Sequence, residues 1–127
     1  IEVYNVLGAG DAFFSGFLFS ARMGALGCWF PASDFATRAS DSRDLLRQVV
    51  ARVNAAGIRP MSLDLTITAA RPRLGGARLD RMRVILAGLL GLDPDAIAVQ
   101  ASTGNLSGDE GAGRTISASA LVGVWTA

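Results

Sequence analysis

The sequence predicts an α+β fold of mixed α/β layers, a small sheet with helices packed on one face. Three observations carry that expectation. Leu45, Leu46, Val49, Val50 and Val53 recur at helical spacing and form one apolar stripe. Residues 62–69 alternate strictly, with Leu63, Leu65 and Ile67 on one side and Asp64, Thr66 and Thr68 on the other, the period of a half-buried strand. The elements follow one another as β-α-α-β-α-β-β, an order that pairs a sheet with a helical layer.

Taken in order, residues 1–6 are β-prone and run into Gly8, Ala9 and Gly10, where a tight turn is expected. Residues 11–23 follow as a helix that is apolar nearly all round, with Phe13, Phe14, Phe17, Leu18 and Phe19, so it needs burying. Gly24, Gly27, Pro31, Ser33 and Asp34 mark an irregular stretch up to about residue 41. Asp41 is a plausible N-cap for the striped helix, and Gly57 stops it. After the alternating strand, Leu79, Met82, Ile85, Leu86 and Leu89 define a third helix that ends at Gly91, with Pro94 just beyond. Two strands, 97–101 and 116–124, are separated by a glycine-rich loop over 104–113. No internal repeat is present.

The 127 residues are half apolar and suit one domain with a sizeable core. Twelve basic residues against 11 acidic give a formal charge of +1, so no long-range field draws the chain to nucleic acid or to an anionic membrane. The lone cysteine, Cys28, cannot form an internal disulfide, and with no histidine at all it has no partner base; a cytoplasmic, reducing setting is expected. The uncharged run 12–21 is closed by Asp11 and Arg22 and falls well short of the roughly 20 residues of a membrane span. Ile1 stands where a start methionine would, and Glu2 where a signal peptide carries positive charge, so the chain is expected to begin inside a longer reading frame or to lack its true start.

Two motif sets carry chemistry. Residues 2–18 (EVYNVLGAGDAFFSGFL) resemble the second signature of the ribokinase-like sugar kinases, especially the 5-dehydro-2-deoxygluconokinase branch. That resemblance implies an anion hole at Gly8, Ala9 and Gly10, where helix N-terminal amides meet phosphate, and a catalytic base at Asp11. The remainder of such a kinase is absent, and strand, turn and buried helix also read as a packing unit alone.

The second set lies in residues 30–34 (FPASD), 39–46 (ASDSRDLL), 63–74 (LDLTITAARPRL), Met82 with Arg83, 89–94 (LLGLDP) and 111–116 (GAGRTI). In this order the blocks resemble 2-C-methyl-D-erythritol 2,4-cyclodiphosphate synthase, a lyase family of the non-mevalonate route to isoprenoids. The resemblance implies that family's fold, incomplete at the N-terminus, and a division into a sugar-kinase-like segment 1–23 and a cyclodiphosphate-synthase-like domain 24–127. It also implies a homotrimer, with the strands around 63–67 and 116–124 lining a three-fold prism, and a site for a cytidine nucleotide.

The family cyclises its cytidylyl substrate and releases CMP, using zinc held by an Asp-x-His pair and a later histidine, together with magnesium. Here the later histidine aligns with Asp11, and a substrate-contacting aspartate with Ala25. One carboxylate does not replace a three-ligand site, so no resident metal and no cyclisation are expected of this chain. The nucleotide side is better kept. Ala69, Pro72, Arg73 and Leu74 match the cytidine-binding loop, with Arg73 in place of a lysine near phosphate. Ser102 and Thr103 keep hydroxyls suited to phosphate oxygens, while Gly104 and Asn105 replace a threonine and a glutamate. Asp109 and Glu110 read as a solvated charge pair. The alternatives are a non-catalytic nucleotide-binding or oligomer-forming remnant, and a fragment of a sugar kinase; the expected partners are a second and third copy and, weakly, a cytidine nucleotide.

Overall fold

The structure, a computed structural model, describes residues 2–9, by their backbone, and residues 41–126. The helix expected over 11–23, with Gly10, Asp11, Ala25 and Cys28, lies outside the described residues. The described elements are β1 (Glu2–Ala9), α1 (Ser42–Ala55), β2 (Ile58–Thr68), α2 (Gly76–Leu90), β3 (Ile97–Ser102), the single turn α3 (Gly108–Gly111) and β4 (Ser117–Thr126).

Asp41 starts α1 as expected: its carboxylate accepts from the Arg43 backbone N–H at 2.8 Å. Three contacts from the Arg43 side chain reinforce it, and these, then the backbone bond, hold the Asp41 carboxyl down at about 2. At the far end of α2, Gly91 adopts φ 69°, the left-handed turn that glycine makes without a Cβ penalty.

The four strands form one sheet in the order β1-β4-β2-β3. β2 and β3 are parallel and α2 is their crossover, while β4 runs antiparallel to both β2 and β1. Gly8 and Ala9, expected in a turn, are strand residues instead, because β4 reaches back to Ser117 and offers them backbone partners at Ala118 and Ser117.

β2 is longer than its alternating pattern predicts, for an identifiable reason. Its register shifts between Pro60 and Ser62, so Met61 is an extra residue in a β-bulge. Ile58 and Pro60 thereby lie buried on the same face as Leu63, Leu65 and Ile67, although the sequence places them out of phase. Opposite the bulge, a Cβ on Gly123 would lie 2.6 Å from Ser62 Oγ, so a larger residue there would make the Ser62 hydroxyl turn away.

That face of the sheet, with Ile97, Ala120, Val122 and Val124, packs against Leu46, Val49, Val50 and Val53 of α1 and Leu86, Ala87 and Leu90 of α2 in one core. This decides which face of the strands an assembly could use. Leu63, Leu65 and Ile67 are not free to line an assembly, because the two helices already bury them. The opposite face carries Asp64, Thr66 and Gln100, whose side-chain amide donates to Thr66 Oγ1 at 3.1 Å, beside Leu121 and Trp125, which stay 43% and 49% exposed.

Leu65 is fully buried at the middle of the sheet. Leu65→Ala is expected to cost about 2–5 kcal/mol, read as a lower urea midpoint at unchanged slope; a loss under about 1 kcal/mol would mean that the core is looser than described.

Candidate functional site

The carboxyl ends of parallel strands leave a crevice where loops diverge, a common place for ligands in open sheets. Here one row of paired residues crosses the sheet at that end: Ala9, Ser117, Thr68 and Ser102. The segment after β2 (69–75) and the segment between β3 and β4 (103–116) both leave from this row.

The row brings together the two stretches expected to bind nucleotide. The Ala69 N–H donates to the Ser102 carbonyl at 2.8 Å, so the roots of the two loops are bonded to each other. Ala69, Pro72 and Leu74 line an apolar cavity of about 370 Å³ between the sheet and the two helices, with Ser42 and Arg43 also in its wall. The Arg71–Pro72 peptide is cis. Arg73 is exposed and is not part of the cavity wall, and its carbonyl faces the Arg78 guanidinium at 3.5 Å. Ser102 is already used in its own turn, accepting the Gly104 N–H at 3.0 Å, yet an accepting hydroxyl keeps its proton to donate. Thr103 caps no backbone group and lies exposed. Of the Met82–Arg83 block, Met82 lines the apolar cavity. Arg83 instead borders a second cavity of about 550 Å³ with Asp64, Asp80 and Gln100, and its Nε is buried without a hydrogen-bond partner.

The loop 103–113 is held in an unusual path. Asn105 and Leu106 both take left-handed φ, 56° and 59°, and Gly111 lies so close that a Cβ there would overlap the Leu106 backbone. Asp109 and Glu110 part company: Asp109 stays exposed, as the expected solvated charge would, and Glu110 does not. Asp109 bonds Arg114 through two nitrogens at 2.7 and 2.9 Å. Glu110 turns toward the sheet, where its carboxylate accepts from Ser117 Oγ at 2.6 Å and its carbonyl accepts the Ala70 N–H at 3.2 Å. The Ser117 hydroxyl, then the residue's own backbone N–H, hold the Glu110 carboxyl below its usual range. Sequence reasoning missed Glu110 and Ser117, since only the fold of the intervening loop makes them neighbours.

The sequence has no histidine, and among the described residues no three Asp, Glu or Cys side chains converge. The described residues therefore do not fit the zinc that the resemblance implies. Among them, no helix is long and apolar enough to cross a membrane.

The profile of the YgbB family matches residues 9–125 of the 127. The chain belongs to the YgbB family. A 2-C-methyl-D-erythritol 2,4-cyclodiphosphate synthase from Chromobacterium violaceum is 40% identical over 102 residues, 80% of this chain and 64% of that relative. A bifunctional IspD/IspF enzyme from Anaeromyxobacter sp. is 39% identical over 112 residues, which are 88% of this chain and 28% of that protein. The chain thus spans less than two thirds of the curated relatives it matches, 64% and 62% for two of the synthases.

Among solved structures, a 2-C-methyl-D-erythritol 2,4-cyclodiphosphate synthase in a form bound to CDP superposes with TM-score 0.76 at 27% identity, covering 91% of this chain and 74% of that one. The bifunctional IspDF of Campylobacter jejuni superposes with TM-score 0.87 over 99% of this chain and 43% of that one; at 18% identity this likeness concerns the fold alone. The small mixed sheet with its helices is the cyclodiphosphate synthase fold. The sugar-kinase resemblance rests on residues 2–18, of which only 2–9 are among the described residues. Its Gly8 and Ala9 are strand residues, and its Gly10 and Asp11 lie outside the described residues.

Because a Cβ at position 111 meets backbone rather than a flexible side chain, Gly111→Ala must displace the loop. Faster amide exchange across 103–113 is expected, with exchange in α1 and β2 unchanged; equal protection in the loop would show that the close approach is relieved at no cost.

Proposed function

We propose that this is a cyclodiphosphate-synthase-like protein of isoprenoid biosynthesis, working in the cytoplasm, that keeps the cytidine-nucleotide side of the family's site but performs no zinc-dependent cyclisation by itself. The observation that carries this reading is the bonded junction of the two nucleotide segments at Ala69 and Ser102, beside the cavity walled by Pro72 and Leu74. Backbone groups near Ala69 would meet the base, and the apolar wall would cover the nucleoside. The Thr103 and Ser102 hydroxyls and the Arg73 guanidinium would approach the phosphates. None of these contacts calls on a metal.

Binding would be weak. Each charge-assisted contact that is absent costs about 1.5–3 kcal/mol, enough to move a micromolar site toward millimolar. Titration by NMR or calorimetry is expected to show saturable CDP binding near millimolar. Arg73→Ala should weaken CDP more than cytidine, since the arginine serves phosphate charge. Equal binding of CDP and ADP, or none, overturns the nucleotide reading. Zinc-dependent release of CMP from the cytidylyl substrate, well above a no-protein control, overturns the proposed loss of cyclisation.

We also infer a homotrimer, built on the open face of the sheet rather than on the apolar face that the helices cover. Leu121, Trp125 and Met61 are exposed large apolar residues, the first two on that open face. Apolar surface of this kind is commonly buried against other copies. Light scattering is expected to give three times the chain mass, and Trp125→Arg is expected to lower it. A well-folded wild-type monomer at micromolar concentration would rule the assembly out.

A further inference from the structure

We propose that Glu110 is a positioning residue of the nucleotide side, a latch that sets loop 69–74 against loop 103–113 by binding to both a loop and the sheet. The proposal rests on the nucleotide reading above for its consequence, but its geometry stands independently.

One residue makes three contacts to different parts of the chain. The Glu110 carbonyl accepts from Ala70 at 3.2 Å and from Gly113 at 3.1 Å, and Oε1 accepts from the Ser117 hydroxyl at 2.6 Å. Ser117 is the first residue of β4 and is paired on both sides, with Thr68 and with Ala9, so it is a fixed point. Ala70 is the second residue beyond β2, on the way to the cavity wall at Pro72 and Leu74. A partly buried carboxylate bond to the sheet therefore fixes where the neighbouring carbonyl can hold the nucleotide loop.

The adjacent acid supplies the contrast. Asp109 makes a stronger-looking pair with Arg114, but both side chains are well over half exposed, and the bond begins and ends inside the segment between β3 and β4. Exposed pairs of this kind contribute little. The backbone path of the loop also needs an external tie, because Asn105 and Leu106 hold left-handed φ without being glycine. The ionised form of Glu110 is the one the Ser117 hydroxyl favours, so the latch is closed at neutral pH.

The test compares Glu110→Ala, Glu110→Gln, Ser117→Ala and Asp109→Ala with the wild type, reading Ala70 amide exchange by NMR and affinity for CDP. Glu110→Ala and Ser117→Ala are each expected to speed Ala70 exchange by about tenfold, with the amides of α1 unchanged, and to weaken CDP several-fold. Glu110→Gln keeps an accepting oxygen and should recover most of both, whereas Asp109→Ala should leave both alone. Ala70 exchange within about twofold of wild type in Ser117→Ala, or a Gln variant no better than Ala, overturns the latch. If wild type does not bind CDP, the nucleotide reading falls, and the exchange data still decide the latch.

Discussion

Burial of one face of β2 beneath α1 and α2 is the interaction to which the other elements answer. β2 is the only described strand that pairs with both a parallel and an antiparallel neighbour, so its register sets those of β3 and β4 together. Leu63, Leu65 and Ile67 anchor that register, since a slip of one residue would carry all three from the core to the open face. The row at the end of the sheet follows from it, because Thr68 stands opposite Ser102 on one side and Ser117 on the other. The two loops leave from positions that the core has already chosen.

Much of this was legible in the sequence because it depends on local periodicity. The stripe of α1, its Asp41 cap and the αL glycine after α2 all belong to patterns a few residues long. The beginning of β2 was not legible. Across a bulge the alternation changes phase, so Ile58 and Pro60 look like residues of the wrong face, and proline itself argues against a strand. Equally hidden was which side of the sheet the helices would cover: alternation shows that Leu63 is buried, but not by what.

The candidate site divides along the same line. Ala69, Pro72 and Leu74 could be found because an ordered block of residues carries the resemblance, and the fold sets them on one cavity wall. Arg73 and Thr103, found in the same way, lie exposed and are not part of its wall. Glu110 and Ser117 could not be found by such means. They are seven residues apart in a glycine-rich stretch, and the chain between them runs through Gly111, where a Cβ would overlap backbone, and Gly113, which takes φ 75°. Neither residue belongs to a short motif, and charge pattern alone suggests a solvated acid.

The bulge at Met61 makes the chain unequally tolerant of changes in length. An extra residue in the turn that ends at Gly57 would lie outside the ladder and leave β2 in phase. Removing Met61 would conserve every side chain of the core and still turn Ile58 and Pro60 outward, because one residue is half a pleat period. Gly123 is tied to the same event, as the space it vacates is occupied by Ser62 only while the bulge exists. Insertions and deletions should therefore be tolerated on the α1 side of Ile58 and not between positions 60 and 62.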